Sequence, residues 1–386
     1  MNCPFRPRLL LIATWAGMTV WLGACTSPTP PEAELPVKPI TAIAPAATPS
    51  LPLIKRPVLD IPPPAPLGYQ NNPQAQTLSL ALANRFQLDP DWVNSVMAHA
   101  RYSPTVSKLI MPAASPGAKN WRVYRSRFVE PIRLRKGLVF WQQQQVLLQK
   151  AAKEFGVPAE IIASIIGVET IYGQQTGQFR VLDALSTLSL DFPAGRKDRS
   201  TFFQTQLGEF LRLCAEQQQD PTQVLGSYAG AIGWPQFMPS SIRSHAIDFD
   251  QDGRIDLHNS VADVIGSVAR FLARHGWQTG MPTHFSARPP TDATSLAYLL
   301  GPDILPSFKP SEMQQYGVQL DGPSQQYTGL LALIRLENGG DTPSYVVGTE
   351  NFYAITRYNN SSYYALAVIE LAQSIVAGQI TPTAAN

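Results

Sequence analysis

A single glutamate, Glu169, stands near the end of the apolar run at residues 156–173, GVPAEIIASIIGVETIYG. Ile162, Ile165 and Ile166 precede it by seven, four and three positions, so on a helix all four side chains share one face. A carboxyl on so apolar a face has two fates. At the margin of the stripe it reaches water or an arginine and has no chemical role. Inside the stripe, desolvation disfavours its charged form and raises its pKa, which makes it a proton donor near neutral pH. Gly156 and Gly173 punctuate the segment, and Pro158 suits a first helical turn.

A second constellation, residues 226–241 (GSYAGAIGWPQFMPSS), mixes Gly226, Gly230 and Gly233 with Tyr228, Trp234 and Phe237. The glycines permit close backbone approach and the rings offer flat apolar surfaces. Ser227, Gln236, Ser240 and Ser241 add neutral hydrogen-bonding groups. Rings beside neutral polar groups suit a sugar; a glycine-rich connection with core aromatics would read the same way.

Directly downstream, Asp248, Asp250 and Asp252 occupy positions one, three and five of a loop with Gly253 at six and Ile255 at eight. This spacing matches the start of an EF-hand calcium loop, in which Arg254 would offer its backbone carbonyl; a solvated acidic turn is the alternative reading. Position twelve departs, because Asn259 stands where a bidentate Glu is usual; Asp263 is the nearest carboxylate able to reach back. Such a site would staple the loop rather than perform chemistry. Late in the chain, residues 352–361 (FYAITRYNNS) pack aromatics among amides and hydroxyls, a pattern that alone says little.

Taken in order, residues 156–173, 182–193 (LDALSTLSLDFP), 226–241, 248–257 (DFDQDGRIDL) and 351–365 (NFYAITRYNNSSYYA) resemble the membrane-bound lytic murein transglycosylase B family. The likeness runs from about residue 75 to 377. It implies a mainly α protein: a lysozyme-like helical core, a small β-containing subdomain and an EF-hand-like calcium loop. It also implies cleavage of the β-1,4 bond between N-acetylmuramic acid and N-acetylglucosamine in peptidoglycan. Glu169 falls on the family's catalytic acid/base. Carried over position by position, the substrate-binding residues would be Tyr124, Ser227, Gln236, Phe237, Tyr358, Asn359 and Tyr364, and the calcium ligands Asp248, Asp250, Asp252, Arg254 and Asp263. Tyr172 stands where a Trp is common in the family, Trp234-Pro235 where a Tyr-Gly pair is common, and one extra residue precedes Asp263.

One carboxylate suffices for such a reaction if the sugar's own C6 hydroxyl attacks C1, because intramolecular attack has a large effective-molarity advantage over water. Ordinary glycosidases pair two carboxylates. A hydrolytic muramidase on the same fold would need Asp183 or Asp191 as the second, and a silent peptidoglycan-binding lipoprotein would need neither.

The elements that must position these groups are mostly helical. Residues 138–155, 202–218, 261–275 and 363–377 carry apolar positions at three- and four-residue spacing, whereas residues 280–348 alternate short apolar pieces with turns and predict the β-containing subdomain. Net charge +2 over 386 residues, with 15% charged, gives no electrostatic case for nucleic acid. Arg6, Arg8 and the apolar run 9–22 form a leader that ends in Leu22-Gly23-Ala24-Cys25, which resembles a bacterial lipobox with Cys25 as the lipidated residue. Thr26 after the Cys suggests the periplasmic side of the outer membrane. Residues 26–70 hold many of the 35 prolines and read as a disordered tether to the catalytic domain at 71–386. Cys214 is then the sole thiol of the mature chain and reads as a buried small hydrophobe. No organic cofactor is expected, and regulatory cell-wall partners stay open.

Overall fold

The structure is a computed structural model and describes residues 68–112 and 119–380. Cys25, the apolar leader and residues 26–67 of the expected tether lie outside the described residues, whereas its last three residues belong to the fold: Tyr69 is buried and its N–H donates to the Ala100 carbonyl at 3.0 Å.

Prolines start the early helices where their missing N–H costs nothing, each behind a capping side chain. Asn72 caps α1 (Pro73–Phe86), Asp89 caps α2 (Pro90–Ala98) and Ser103 caps α3 (Pro104–Leu109). Asn120 caps α4 (Trp121–Phe128), and Glu130 accepts from two N–H groups at the start of α5 (Pro131–Phe155). Gly156 ends α5 in a left-handed conformation. Pro158 then sits at the N-cap of α6 (Ala159–Thr170), one position outside the first turn expected for it.

Helix α6 is the centre of the molecule. Ile162, Ile165 and Ile166 are fully buried, and so are Ala163 and Ser164 on other sides, as expected for a helix that is apolar nearly all round. It packs against α5, α10 (Val261–Arg274) and α15 (Ser362–Ile380). The two-residue strand β1 (Phe179–Arg180) leads into α7 (Val181–Leu190) and α8 (Ser200–Glu216), and pairs with β2 (Leu225–Gly226). Helix α9 (Pro239–His245) completes this half. Cys214 is fully buried in α8, and burial pushes its thiol well above the usual range.

The β-containing subdomain expected at 280–348 is a four-stranded antiparallel sheet of order β4-β3-β6-β5. Its strands are β3 (His284–Arg288), β4 (Gln319–Leu320), β5 (Ala332–Asn338) and β6 (Asp341–Gly348). Helices α11 (Ala293–Leu300), α12 (Pro310–Gln315) and α13 (Gly322–Gln325) lie between the strands, and α14 (Glu350–Thr356) follows. Strand β5 explains its own sequence. Leu333 faces the subdomain's small core, while Ala332, Ile334 and Leu336 face the main core. A strand buried on both faces reads as a continuous apolar run.

Tyr172 is one of several core residues with an unpartnered polar atom, along with Trp92 and Ser164. Its ring is buried against Phe140, with centroids 5.0 Å apart, but its buried hydroxyl has no hydrogen-bond partner. An unsatisfied buried hydroxyl destabilises by about 1–3 kcal/mol, less the packing its oxygen contributes. Tyr172→Phe is therefore expected to raise the unfolding free energy by about 1 kcal/mol, read from urea melts; a loss of stability would show that the hydroxyl is satisfied in solution.

Candidate active site

Helix α6 stops abruptly just past Glu169. Ile171 and Tyr172 are left-handed (φ 51° and 55°) and Gly173 follows at φ 83°. Such backbone is strained for a β-branched residue and persists only where the surroundings fix it. Three contacts do so. Arg133, buried in α5, donates from Nε to the Gly167 carbonyl at 2.8 Å, a second bond to the oxygen that already accepts from the Ile171 N–H. The Thr170 hydroxyl donates to the Trp234 carbonyl and accepts from the Gly173 N–H, each at 3.0 Å. Gly173 itself lies against the Trp234 ring, where an added Cβ would stand 2.1 Å from a ring carbon. Thus the α6 terminus and the 226–241 loop are one unit.

At the end of this helix Glu169 is partly exposed as a residue. Its Oε1 accepts a 2.6 Å hydrogen bond from the Tyr364 hydroxyl of α15. Burial raises the Glu169 pKa to about 7, against the opposing effect of the Tyr364 bond, which favours the ionised form. Among the described residues its side chain is partnered by a phenol, not by an arginine. Burial, with the charge of Glu169 beside it, holds the Tyr364 phenol well above its usual range, so it remains a donor.

Tyr358 lies beside Tyr364, rings near parallel (15°) with centroids 6.2 Å apart, and its hydroxyl donates to the Pro235 carbonyl at 2.6 Å. Phe271 packs 4.7 Å and Phe237 5.6 Å from the Tyr358 ring. Phe237 is itself buried, so its ring supports Tyr358 from within the core. Tyr124 on α4 stacks among Phe128 and Tyr363, and its phenol is close enough to act on that of Tyr364. Gln236, left-handed at φ 48°, donates its side-chain amide to the carbonyls of Thr176 and Gly233. Ser227 Oγ accepts from the N–H groups of Ala229 and Ala231, which folds the loop back on itself. Asn359 is partly exposed in the turn after α14, its carbonyl accepting from Ser361 N–H at 2.5 Å.

The structure therefore gathers Glu169, Tyr364 and Tyr358, sets Tyr124 against Tyr363 next to Tyr364 in α15, and places Ser227, Gln236 and Phe237 in the loop that frames them. Thr170, Arg133 and Phe271 were not legible as site residues. A buried arginine in α5 and a threonine next to Glu169 are the only signals the sequence offers for the first two.

In the acidic loop, carboxylate oxygens of Asp248, Asp250 and Asp252 lie within 4.8 Å of one another. Asp263 stands outside that group. It is fully buried at the head of α10, with one oxygen accepting from Phe249 N–H (2.7 Å) and the other from Asp256 N–H (2.8 Å). Burial raises its pKa. Ser260 donates to Asp250 at 2.7 Å, and the Arg254 guanidinium pairs with Asp256. Asn259 also turns to Asp256 instead of the loop's centre.

A family model described as the transglycosylase SLT domain matches residues 70–373. The chain is 35% identical over 325 residues to membrane-bound lytic murein transglycosylase B of Escherichia coli K12, covering 81% of this chain and 85% of that one. The structure is similar to the crystal structure of soluble lytic transglycosylase SltB1 from Pseudomonas aeruginosa, with TM-score 0.72 and 38% identity, covering 80% of this chain and all of the other. It is likewise similar to Escherichia coli lytic transglycosylase Slt35 in complex with calcium, with TM-score 0.70 and 34% identity over 82% and 97% of the two chains. Matched in motif order, in sequence and in fold over most of its length, the chain belongs to the lytic murein transglycosylases, lyases that act on peptidoglycan.

Proposed function

We propose that Glu169 alone serves as acid and then base in non-hydrolytic cleavage of the MurNAc–GlcNAc bond. Protonated Glu169 gives its proton to the glycosidic oxygen as the C1–O bond breaks. The substrate's own N-acetyl oxygen stabilises C1. The Glu169 carboxylate then takes the C6 hydroxyl proton as O6 closes on C1, which yields a 1,6-anhydromuramoyl end and restores the acid. Tyr124, Tyr358, Asn359 and Tyr364 face the glycan, and Ser227, Gln236 and Phe237 hold their loop in shape.

The observation that carries this reading is a carboxyl with pKa about 7 that is raised by burial and touched by a tyrosine. The two acids a hydrolytic mechanism would use are engaged elsewhere. Asp183 accepts from Arg101 N–H at 2.9 Å and pairs with Arg180 at 3.3 Å; Asp191 accepts from the Tyr69 hydroxyl at 2.5 Å. Mass spectrometry of fragments released from sacculi tests the reaction. The expected products lack one water relative to hydrolytic fragments, and reducing ends would establish the muramidase instead.

Calcium fits the acidic loop on the same reading. Three carboxylates converge, Gly253 turns sharply at φ 96°, and Asp263 staples the loop's two ends through backbone N–H groups in place of a twelfth-position ligand. Asp248, Asp250, Asp252 and the Arg254 carbonyl would hold the ion, with Asp263 supporting them from behind. An ion at a hundred times its Kd adds about 2.7 kcal/mol, so the melting temperature in chelator is expected about 5 °C below that in excess calcium. Identical melting in the two would remove calcium from the structure.

No helix among the described residues is long and apolar enough to cross a membrane. A lipid on Cys25 and the tether behind it would hold the domain on the periplasmic face of the outer membrane, within reach of the wall; the membrane-bound name of the Escherichia coli relative supports that placement. Labelled palmitate should enter the chain and be lost in Cys25→Ser.

A further inference from the structure

The Glu169 site has a lip that the proton transfers do not use. The Thr170 hydroxyl holds the Trp234 carbonyl and the Tyr358 hydroxyl holds the Pro235 carbonyl, so the chain at 234–235 is pinned by groups that flank the acid. The Trp234 ring is partly exposed. A Cβ added at Gly173 would stand 2.1, 2.4 and 2.5 Å from its Cε2, Cζ2 and Cδ2, so Gly173 covers one face of the six-membered ring. Phe140 packs beside it, with centroids 6.5 Å apart. Among the described residues the Trp234 indole N–H has no acceptor, whereas that of the buried Trp277 donates to the Gly156 carbonyl at 3.0 Å.

One turn before Phe140 on α5 stands Lys136, partly exposed, whose ammonium donates to the side-chain oxygen of Gln174, the residue after Gly173. No carboxylate pairs with Lys136 among the described residues. The chain around it is neutral: residues 171–178 (IYGQQTGQ) and 226–241 hold no charged residue. Arg133, a turn earlier on the same helix, is occupied by the Gly167 and Arg127 carbonyls and by Glu130. Lys136 is thus a cation bonded to a neutral amide, with donors left over.

Each group answers a different part of a peptidoglycan strand. An indole with a free N–H suits a pyranose ring and its acetamido carbonyl. An ammonium without a counter-ion suits a carboxylate, and a charge-assisted bond of that kind is about twice as strong as a neutral one. Bare N-acetylhexosamine chains carry no carboxylate. Muramic acid carries an acidic peptide on its lactyl ether, which brings carboxylates close to the sugar ring. A strand without them would leave Lys136 with only the Gln174 amide.

We propose that Trp234 and Lys136 form a subsite for a muramoyl unit with its acidic peptide, the indole taking the sugar and the ammonium a peptide carboxylate, so that the enzyme prefers strands with free-acid stems. The proposal rests on the glycan-cleaving role given to the Glu169 site. It is tested with the full chain carrying Glu169→Gln, titrated in calorimetry with a GlcNAc–MurNAc tetrasaccharide bearing tetrapeptide stems and with the same compound after its carboxylates are converted to amides. The acid form is expected to bind about tenfold more tightly at low salt. Adding Lys136→Gln should erase that difference and leave binding of the amidated compound within about twofold, and Lys136→Arg should keep the difference. Adding Trp234→Phe, which retains a ring but removes the N–H, should weaken both compounds several-fold. Raising the ionic strength should shrink the preference in the parent, and a preference that salt does not change overturns the ion pair whatever the variants' stability. Equal binding of the two compounds by the parent, or a preference that survives Lys136→Gln, overturns the carboxylate contact. Unchanged affinity in Trp234→Phe overturns the indole contact. No binding of either compound overturns the glycan reading of the site instead, an outcome distinct from the others.

Discussion

Glu169→Gln is expected to lower sacculus solubilisation by at least about 10³-fold and at the same time to stabilise the protein. The first effect follows if, as proposed, one group supplies both proton transfers, each worth roughly 10²–10⁴-fold. The second follows from the pKa. A folded carboxyl moved from 4.5 to about 7 binds more protons than the unfolded chain between those values, so stability falls as pH rises through that window and stays lowered above it. Below about pH 4.5 both states are protonated and the term vanishes. Ionised Glu169 costs at most about 3 kcal/mol, less what partial exposure recovers. Melts at pH 8 should therefore favour the Gln variant by several degrees, and melts at pH 4 should coincide. Equal melting at both pH values would show that the carboxyl is well solvated. Tyr364→Phe complements this test. The Tyr364 bond favours the ionised form, so its loss should move the alkaline limb of kcat/KM to higher pH while lowering its height.

Gly177→Ala should cost about 3 kcal/mol or more and take activity with it. Gly177 is left-handed at φ 95°, and a Cβ there would stand 2.1 Å from the Gly226 carbonyl oxygen. Both partners in that collision are backbone, so no rotamer change relieves it. Gly226 is itself hemmed in, because a Cβ added to it would stand 2.2 Å from the Ala231 carbonyl oxygen. The predicted signature is a lowered urea midpoint with the activity loss tracking the unfolded fraction. Wild-type stability in Gly177→Ala would mean that these two glycines are not in contact.

The helical half was legible because its pattern and its environment agree. Residues 261–275 alternate at helical spacing and form α10 as Val261–Arg274, and residues 138–155 form most of α5. The start of α5 was missed by several residues, because its first turns carry Arg133, Arg135 and Lys136 and the buried Arg133 looks polar in sequence. Glu169 was legible as a carboxyl on an apolar face; Tyr364 was not, except through family likeness. Tyr364 approaches from 195 positions away, and nothing in the local pattern of α15 distinguishes it from a core aromatic. At 226–241 the sequence leaves a sugar site and a glycine-rich connection with core aromatics equally open. In the structure, Phe237 is buried and Ser227 and Gln236 bond to backbone, because a loop with so many glycines needs side chains to fix its path.

The bond between Tyr364 and Glu169 also sets the order in which the protein becomes competent. Its donor lies on the last helix described and its acceptor near the middle of the chain. A ribosome that has delivered every residue through β6 has made Glu169, Trp234 and the acidic loop, but not the phenol that orients the acid. Until α15 docks on α6, the hydrogen bond from Tyr364 to Glu169 cannot form, so the proposed acid lacks its phenol partner.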